Sequence, residues 1–442
     1  MSRRTQQPTA EGLLESVESA APPGSAAAPT ESSAQSRGGR LHAVDALRAL
    51  ALLGILSVNV WYFLHPETLQ TGMRSTPQES SADQVVPFLS TLLFESKSYV
   101  VFSFLFGLSF VLAWASAHRA GVSEVGRSIR RFVALIILGA LHGIFLFVGD
   151  ILLAYGVLGF ALLGMRRIRT RWAVTITVVL FACWSLFMIL SGVFLMALEG
   201  SEGADAASFT VGDPEAALEA YTGSFSAYLG FQASVYGLVM PSILFGQAPL
   251  ALGAFLIGLV VGRAQVMERI IDGEIRTSRL LTWMIPSLVI GLALSGTAAV
   301  MLWGPPGSTG SGAAAGDGAV GVEVTAMGLA FLAGPIQACG YVILALLILR
   351  APAGRWLRAL LAPAGRMSLT NYLSQSVVLA LIFSGLGLGL AGELSALAVG
   401  GVVLALWIAQ LLVSILWFRV FRIGPMECLV RAVTYRRAPS LR

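Results

Sequence analysis

The sequence predicts an all-α polytopic membrane protein, and its composition is the first reason. Of its 442 residues, 56% are hydrophobic and only 12% are charged, whereas soluble domains carry roughly 25% charged residues. The mean hydropathy is +0.78. Long apolar runs recur along the chain, and about 20 helical residues suffice to cross the hydrocarbon core of a bilayer. We therefore expect a bundle of about ten transmembrane helices.

The predicted helices follow one another closely. They span residues 43–64, 92–117, 131–149, 150–166, 172–197, 238–262, 280–303, 324–349, 369–391 and 394–418. The third and fourth are short and meet at Gly149–Asp150, which predicts a tight hairpin on the outer side. The stretch 221–262 contains glycines and prolines before and within the sixth helix. It could hold a broken or re-entrant piece, because irregular backbone is tolerated where it lines a cavity.

Arginines decide the predicted orientation, because short cytoplasmic loops retain basic residues. With the N-terminus inside, arginine clusters fall into every second loop and into the C-terminal tail. The clusters lie at 119–131, 166–171, 263–279, 350–366 and 419–442. The outer loop at 198–237 has no basic residue and several acidic ones. Both termini are therefore expected in the cytoplasm.

Three regions are predicted from these patterns. Residues 1–40 are rich in Ser, Ala, Pro and Gly and bury too little apolar surface to fold, so we expect a disordered cytoplasmic tail. Residues 41–418 form the transmembrane helical domain, and residues 419–442 form a basic cytoplasmic tail. The net charge of +5 fits attraction to anionic lipid headgroups better than binding of nucleic acid. The partner expected from this composition is the lipid bilayer.

Motifs for cofactors and metals give no site in this sequence. Gly387-Leu-Gly389-Leu-Ala-Gly392 matches the dinucleotide fingerprint by letter, but no strand precedes it, so the required context is absent. The three cysteines lie far apart, with no metal or redox spacing, so no bound cofactor or metal is expected. The spacing Gly258-xxx-Gly262 lets two helices approach closely, which predicts a packing role.

The stretch 141–160 is the first candidate site, because His142 and Asp150 interrupt an otherwise apolar run. A charge in the middle of a membrane segment costs at least ~2.5–3.5 kcal/mol. The two residues are eight apart, a rotation of about 80° on a straight helix. We expect both to face one cavity without direct contact, with Asp150 near the interface at the hairpin turn. An imidazole near a carboxylate can act as a general base; the alternative is a buried imidazole that hydrogen-bonds to neighbouring groups.

The first predicted helix carries a second set of polar residues. Asp45 and Arg48 are three apart at its cytoplasmic end and share one face, so they can neutralise each other. Alternatively, Arg48 receives an anionic group such as a phosphate. His65 lies where this helix emerges on the outer side, and a histidine at an interface can simply be solvated.

The entry to the ninth predicted helix is unusually polar. Arg366 begins one stripe, and Asn371 and Gln375 form another with a spacing of four. Two polar stripes entering a membrane helix indicate either hydrogen bonds between helices or a surface that faces a ligand. The sequence leaves both open.

Six stretches, taken in order, resemble the YeiB-like family of bacterial multi-pass membrane proteins. This family is a domain of unknown function whose members are often labelled as transporters. They are VDALRALALLGILSVNV (44–60), ESKSYVVFSFLFGLSF (95–110), LHGIFLFVGDILLAYGVLGF (141–160), APLALGAFLIGLVVGR (248–263), GRMSLTNYLSQSVV (365–378) and WFRVFRIGPMECLVRAVTY (417–435). The chain departs from the family pattern at Ala49, Met426 and Cys428. The resemblance implies a multi-pass protein of the bacterial inner membrane.

The first two helices are also similar to the transmembrane acyltransferases that include heparan-α-glucosaminide N-acetyltransferase. The likeness rests on Asp45, Arg48, Asn59 and the segment WYFLHP that contains His65. This resemblance implies a cytoplasmic acyl-CoA co-substrate and an acceptor reached from the other membrane face. It makes His65 a competing candidate for the base.

The resulting hypothesis is a membrane-bound acyltransferase acting on a small-molecule, lipid or glycan acceptor. Arg48 and Arg366 would hold the phosphates of CoA, with Asp45, Asn371 and Gln375 beside them. His142 or His65 would deprotonate the acceptor, and Asp150 would orient the base. The rival is a transporter or exporter that uses the same His and Asp; a scaffold role is a third reading. The sequence does not identify the substrate, and it does not decide whether the protein forms a homo-oligomer.

Overall fold

A computed structural model describes residues 31–71, 81–119, 121–199, 213–308, 320–437 and 439–441. The chain divides into two units, Met1–Gly39 and Arg40–Arg442, and the contacts reported below lie within the second. Residues 1–30 of the predicted disordered tail (1–40) lie outside the described residues, and the tail stays a prediction. The first described helix begins at Glu31.

The described residues form helices and connecting turns, with no strand among them. In chain order the helices are α1 (Glu31–Leu64), α2 (Thr68–Thr71), α3 (Ser81–Leu93), α4 (Lys97–Arg119), α5 (Glu124–Phe145), α6 (Leu152–Gly164), α7 (Thr170–Glu199), α8 (Pro214–Thr222), α9 (Phe225–Gly246), α10 (Ala248–Arg263), α11 (Val266–Ile271), α12 (Thr277–Trp303), α13 (Val320–Arg350), α14 (Gly354–Arg366), α15 (Ser368–Phe383), α16 (Ala396–Val420) and α17 (Pro425–Tyr435).

Eight helices in the described part of the chain are long and apolar enough to cross a membrane. The helices α6, α10 and α15 are also apolar but shorter. The predicted fold class, an all-α polytopic membrane bundle, is confirmed. The orientation of the termini stays a prediction.

The predicted helix at 238–262 proves to be broken. It comprises the end of α9 and most of α10, which meet at Gln247. Pro249 lies in the first turn of α10, where its missing N–H group costs nothing and its fixed φ favours a new helix. The stretch 221–262 thus holds a break, which lies within the predicted sixth helix and not before it.

Close helix packing between α4 and α10 depends on glycine. A Cβ atom on Gly258 would meet the carbonyl oxygen of Phe104, and one on Gly107 would meet the carbonyl oxygen of Phe255. Gly262 faces Leu108 in the same interface. The packing role predicted from the Gly258-xxx-Gly262 spacing is confirmed.

The helices α5, α6, α15 and α17 meet around the candidate site. Helix α5 packs along α6, and α17 contacts both α5 and α15. Glu427 of α17 accepts hydrogen bonds from the backbone N–H groups of Leu369 (2.8 Å) and Thr370 (3.2 Å) at the start of α15. Its second carboxylate oxygen accepts from the Thr370 hydroxyl at 2.6 Å. A glutamate from one helix thus satisfies the free donors at the N-terminus of another.

Candidate functional site

The turn between α5 and α6 places Asp150. Helix α5 ends at Phe145, and the N–H groups of Leu146 and Phe147 both donate to the carbonyl oxygen of His142 at 2.9 Å. The chain then reverses, and Asp150 precedes the first turn of α6. Its Oδ2 accepts a hydrogen bond from the N–H of Leu153 at 2.8 Å. A carboxylate at a helix N-terminus is favoured by the helix dipole.

Asp150 and His142 are in direct contact. Oδ1 of Asp150 lies 2.8 Å from Nδ1 of His142, and the two residues are 0% and 2% exposed. The prediction that they would face one cavity without touching is therefore wrong, and Asp150, which was expected near the interface at the hairpin turn, is fully buried. The 80° rotation assumed one continuous helix, whereas the chain turns back after Phe145 and returns Asp150 to the flank of α5.

His142 has a second partner that the sequence did not reveal. Its Nε2 lies 2.8 Å from Oγ of Ser376 on α15, 234 positions away in the chain. Ser376 is 3% exposed. An ionised Asp150 can only accept a hydrogen bond, so it assigns the proton of a neutral imidazole to Nδ1 and leaves Nε2 to accept from the serine hydroxyl. Asp150, His142 and Ser376 form a buried hydrogen-bonded chain, called here the Asp150–His142–Ser376 chain.

Aromatic rings and glycines enclose this chain. The ring centroids of Tyr372 and Phe147 lie 5.1 Å and 6.3 Å from that of His142. The ring of Tyr236 packs against Gly143. A Cβ atom on Gly139 would meet the Asp150 carboxylate and the backbone N of Leu153. These contacts exclude water, which strengthens electrostatic interactions between the enclosed groups.

Beside the chain lies a cavity of about 330 Å³, called here the arginine cavity. Tyr372, which contacts His142, lines it together with Ile151, which follows Asp150. Five arginines line the cavity as well: Arg48, Arg127, Arg131, Arg366 and Arg431. The carboxylates in its lining are Glu124 and Glu427, so the lining carries a net positive charge.

Four of the five arginines are held by contacts of two kinds. Arg48 donates to Asp45 at 2.5 Å and to the hydroxyl of Ser109 at 2.6 Å. The guanidinium groups of Arg127, Arg131 and Arg366 lie over the rings of Tyr435, Phe106 and Phe418, at 4.7, 4.9 and 4.0 Å from the ring centroids. Stacking on aromatic rings orients a guanidinium without neutralising it. The ion pair predicted between Asp45 and Arg48 is present, and Arg48 also faces the cavity.

The amides of Asn371 and Gln375 are used between helices. Nδ2 of Asn371 donates to the hydroxyl of Ser414 at 3.2 Å, and Nε2 of Gln375 donates to Oε1 of Gln410 at 2.9 Å. Both partners lie on α16, and neither amide lines the arginine cavity. Of the two alternatives that the sequence left open, the geometry favours hydrogen bonds between helices for this stripe.

His65 lies elsewhere. Its Nδ1 is 3.1 Å from Oε1 of Glu67, and it lines a separate cavity of about 20 Å³ together with Trp61 and Glu95. That volume is close to the room that a single water needs. The structure does not bring His65 to the arginine cavity, and no metal-binding cluster of His, Cys, Asp or Glu occurs among the described residues.

Comparisons with known proteins extend the resemblance over nearly the whole chain. Residues 261–437 match the family described as "Protein of unknown function (DUF418)". The chain is 28% identical over 413 residues to the uncharacterized protein YxaH of Bacillus subtilis (strain 168), covering 90% of this chain and 94% of that protein. It is 27% identical over 405 residues to an uncharacterized 39.9 kDa protein in the amylase 3' region of Bacillus acidopullulyticus, covering 90% and 94%.

A third relative is the uncharacterized protein YeiB of Escherichia coli (strain K12). The identity is 26% over 407 residues, which cover 89% of this chain and 96% of YeiB. The similarity to transmembrane acyltransferases stays a prediction. The resemblance to YeiB-like proteins drawn from the sequence is confirmed: the chain is similar to YeiB over nearly its whole length, and its residues 261–437 match DUF418.

Proposed function

We propose that the protein is a membrane-bound acyltransferase that passes an acyl group from acyl-CoA to a hydroxyl or amine. One observation carries the proposal: the imidazole of His142 is hydrogen-bonded on one side to a carboxylate and on the other to a hydroxyl, each at 2.8 Å, beside a cavity lined by arginines. A base held by an acid and facing a hydroxyl is the arrangement that activates oxygen nucleophiles.

The arginine cavity suits an anionic donor. Guanidinium groups bind phosphate oxygens through paired N–H donors, and a stacked guanidinium loses little freedom on binding. Arg366 and Arg431 are exposed, whereas Arg48 and Arg131 are half-buried. In the proposal, the phosphates of CoA bind the exposed Arg366 and Arg431, and the thioester points toward Tyr372. The volume of about 330 Å³ falls within the range of small-molecule pockets.

His142 is the proposed general base. It takes a proton at Nε2, while Asp150 accepts the hydrogen bond at Nδ1 and stabilises the imidazolium that forms. His142→Ala and Asp150→Asn are expected to lower the rate of acyl transfer by about 10²–10⁴-fold. Binding of CoA should be nearly unchanged in both variants, because neither side chain lines the cavity.

The test uses the purified full-length chain in lipid nanodiscs. Acetyl-CoA and octanoyl-CoA serve as donors, membrane extract serves as the source of acceptor, and release of the CoA thiol is followed by mass spectrometry. His65→Ala is the decisive companion variant, because His65 is the competing base. Wild-type protein that neither binds nor consumes either donor would overturn the proposal. Loss of activity only in His65→Ala would show that His65, and not His142, is the general base.

A proton-coupled transporter is the second candidate. The observation that favours it is the fully buried Asp150–His142 pair inside a transmembrane bundle, since such pairs also occur in proton relays. Its cargo would be a small anion, to match the arginines. Uptake or efflux driven by a pH gradient in vesicles, lost in Asp150→Asn and accompanied by no acyl transfer, would favour transport.

A further inference from the structure

Ser376 is held differently from the buried serines Ser57 and Ser384. Ser90, Ser103 and Ser295 also form hydrogen bonds across helices, but the partner of Ser376 is an imidazole. A hydroxyl inside a helix commonly donates to the carbonyl oxygen one turn earlier, and Ser57 and Ser384 do so toward Leu53 (2.8 Å) and Ala380 (2.7 Å). Ser376 lies in the interior of α15, yet its Oγ is directed across the bundle at Nε2 of His142. The hydroxyl is thus aligned with the imidazole.

The position of Ser376 on α15 continues the face that lines the arginine cavity. Ser368, Leu369 and Tyr372 line that cavity, and residues four apart lie one above the other on a helix. Ser376 follows Tyr372 by four residues, so it lies one turn deeper on the same face. Tyr372 both lines the cavity and lies close to His142, with 5.1 Å between the two ring centroids.

The hydrogen bond to Nε2 decides which proton His142 can take first. A neutral imidazole with its proton at Nδ1 has one acceptor atom, Nε2, and the Ser376 hydroxyl already occupies it at 2.8 Å. An acceptor molecule would have to displace the serine before His142 could deprotonate it. The proton that moves along the existing contact is that of Ser376.

We propose that Ser376 carries the acyl group as a covalent ester, so that acyl transfer proceeds in two steps. The inference rests on the proposed function and adds to it a nucleophile and an order of events. The acyl donor reacts before the acceptor binds, which predicts ping-pong kinetics. The donor class is a thioester, because its thiolate leaves readily and its CoA moiety carries the charge that the arginines match.

The two steps balance. In the first, Oγ of Ser376 attacks the thioester carbonyl carbon, Nε2 of His142 takes the hydroxyl proton, the C–S bond breaks, and the proton passes to the thiolate to give CoA thiol. In the second, the acceptor hydroxyl or amine attacks the ester carbonyl, and Nε2 takes its proton. The C–O bond to Ser376 then breaks, and the proton returns to Oγ. Asp150 stays ionised throughout.

Intact-protein mass spectrometry tests the first step without knowledge of the acceptor. Full-length protein in detergent is mixed with acetyl-CoA, quenched with acid, and digested to map the modified residue. The expected result is a mass increase of one acetyl group on Ser376, together with one equivalent of CoA thiol. The adduct should be absent in Ser376→Ala and His142→Ala. It should persist in Ser57→Ala, a matched variant that removes a buried hydroxyl outside the site.

Ser376→Cys separates chemistry from folding. A thiol at this position can accept the acyl group, so this variant should form an adduct that neutral hydroxylamine removes far faster than the wild-type ester. Wild-type protein that consumes acetyl-CoA without an adduct on Ser376, or a Ser376→Ala variant that retains transfer, would overturn the covalent step and leave the proposed acyltransferase intact. Wild-type protein that neither binds nor consumes acetyl-CoA would overturn both.

Discussion

Gly139 provides the space in which the Asp150 carboxylate sits. It lies on α5, one turn before His142, and a Cβ atom there would collide with Asp150 and with the backbone N of Leu153. The carboxylate cannot move aside without losing its contacts to Leu153 and His142, both 2.8 Å long. The absence of a side chain at Gly139 is therefore a requirement of the Asp150–His142–Ser376 chain.

Gly139→Ala is expected to destabilise the protein by about 1–3 kcal/mol, the usual cost of overpacking a filled interior. It should also lower acyl transfer, because the carboxylate is displaced from Nδ1 of His142. Thermal unfolding in detergent and the rate of CoA release measure the two effects. Gly237→Ala is the control, since a Cβ atom there meets nothing within 4 Å. Equal behaviour of both variants would contradict the role given to Gly139.

The sequence alone identified some residues of the site but not others. His142 and Asp150 could be found because ionisable groups are rare in apolar runs. Ser376 could not, because a single hydroxyl in a membrane helix is common and its partner lies 234 positions away. The contact between His142 and Asp150 was missed because helical rotation applies only within a continuous helix, and α5 ends at Phe145.

At the scale of single elements, α15 depends on a residue outside itself. Its first N–H groups are satisfied by the carboxylate of Glu427 from α17, which also accepts from the hydroxyl of Thr370. Because α15 carries both Tyr372 and Ser376, the fixed start of the helix also fixes the height of Ser376 relative to His142. Glu427 makes none of the hydrogen bonds of the Asp150–His142–Ser376 chain, so it acts on that chain through α15 as a positioning residue, and its carboxylate also lines the arginine cavity.

Glu427→Ala is expected to destabilise the protein by about 0.5–2 kcal/mol, as for the loss of other helix caps. The expected signature is a lower thermal midpoint with a partial loss of activity, and Glu427→Gln should recover part of both because its amide oxygen still accepts. Glu393→Ala, at an exposed turn, serves as the control. A thermal midpoint unchanged in Glu427→Ala would refute this account of α15.

The polar entry to α15 shows how far a helical stripe can be interpreted from sequence. The spacing of Asn371 and Gln375 predicted one shared face, and both amides do donate to α16. Whether these amides bond to another helix or face a ligand depended on the positions of Gln410 and Ser414. Those positions are set by the packing of the whole bundle. Periodicity identifies a polar face, but not its partner.

At the scale of the whole molecule, the arginine cavity is assembled from distant parts of the chain. Its arginines come from α1, α5, α14 and α17, so no local sequence motif could predict the cavity. The sequence predicted Arg48 and Arg366 as anion ligands from their place at a cytoplasmic entry. Arg131 was counted only as a loop arginine, although it is half-buried against Phe106.

Arg131→Gln is expected to weaken binding of CoA by about tenfold or more, the equivalent of one lost hydrogen bond to a charged group. The loss should be somewhat larger at low ionic strength, because added salt screens part of the attraction between the half-buried Arg131 and a phosphate. Isothermal titration with CoA at two salt concentrations measures it. Arg276→Gln, which alters an exposed arginine before α12, is the control, and equal affinities of the two variants would argue against the cavity as the donor site.

The path of the chain through the membrane raises one more question, because the eight long and three shorter apolar helices cannot each cross once if both termini are cytoplasmic. The pair α9–α10 follows the acidic loop and precedes the arginines at 263–279, so it must make an odd number of crossings. Helix α9 is about 33 Å long and α10 about 24 Å. Two successive helices can make an odd number of crossings of a core of about 30 Å only if one of them spans it.

Contacts indicate that α10 is the spanning member. The hydroxyl of Tyr99, near the start of α4, donates to the carbonyl oxygen of Gln247 at 3.2 Å, and further along Gly262 meets Leu108. Helix α10 therefore runs parallel to α4. Since Arg119 is predicted to be cytoplasmic, the start of α4 and Gln247 should both lie on the outer side.

Cysteine accessibility tests this path in a background that lacks the three native cysteines. Ser224→Cys and Gln247→Cys, at the two ends of α9, should both react with a membrane-impermeant maleimide added to intact cells, because α9 begins and ends on the outer side. Arg276→Cys should react only after the membrane is permeabilised. Labelling of Gln247→Cys only after permeabilisation would instead make α9 the crossing helix. The entry of CoA from the cytoplasm past Arg366 would then have to be reconsidered, because the parallel course of α4 and α10 fixes which membrane face the arginine cavity opens toward.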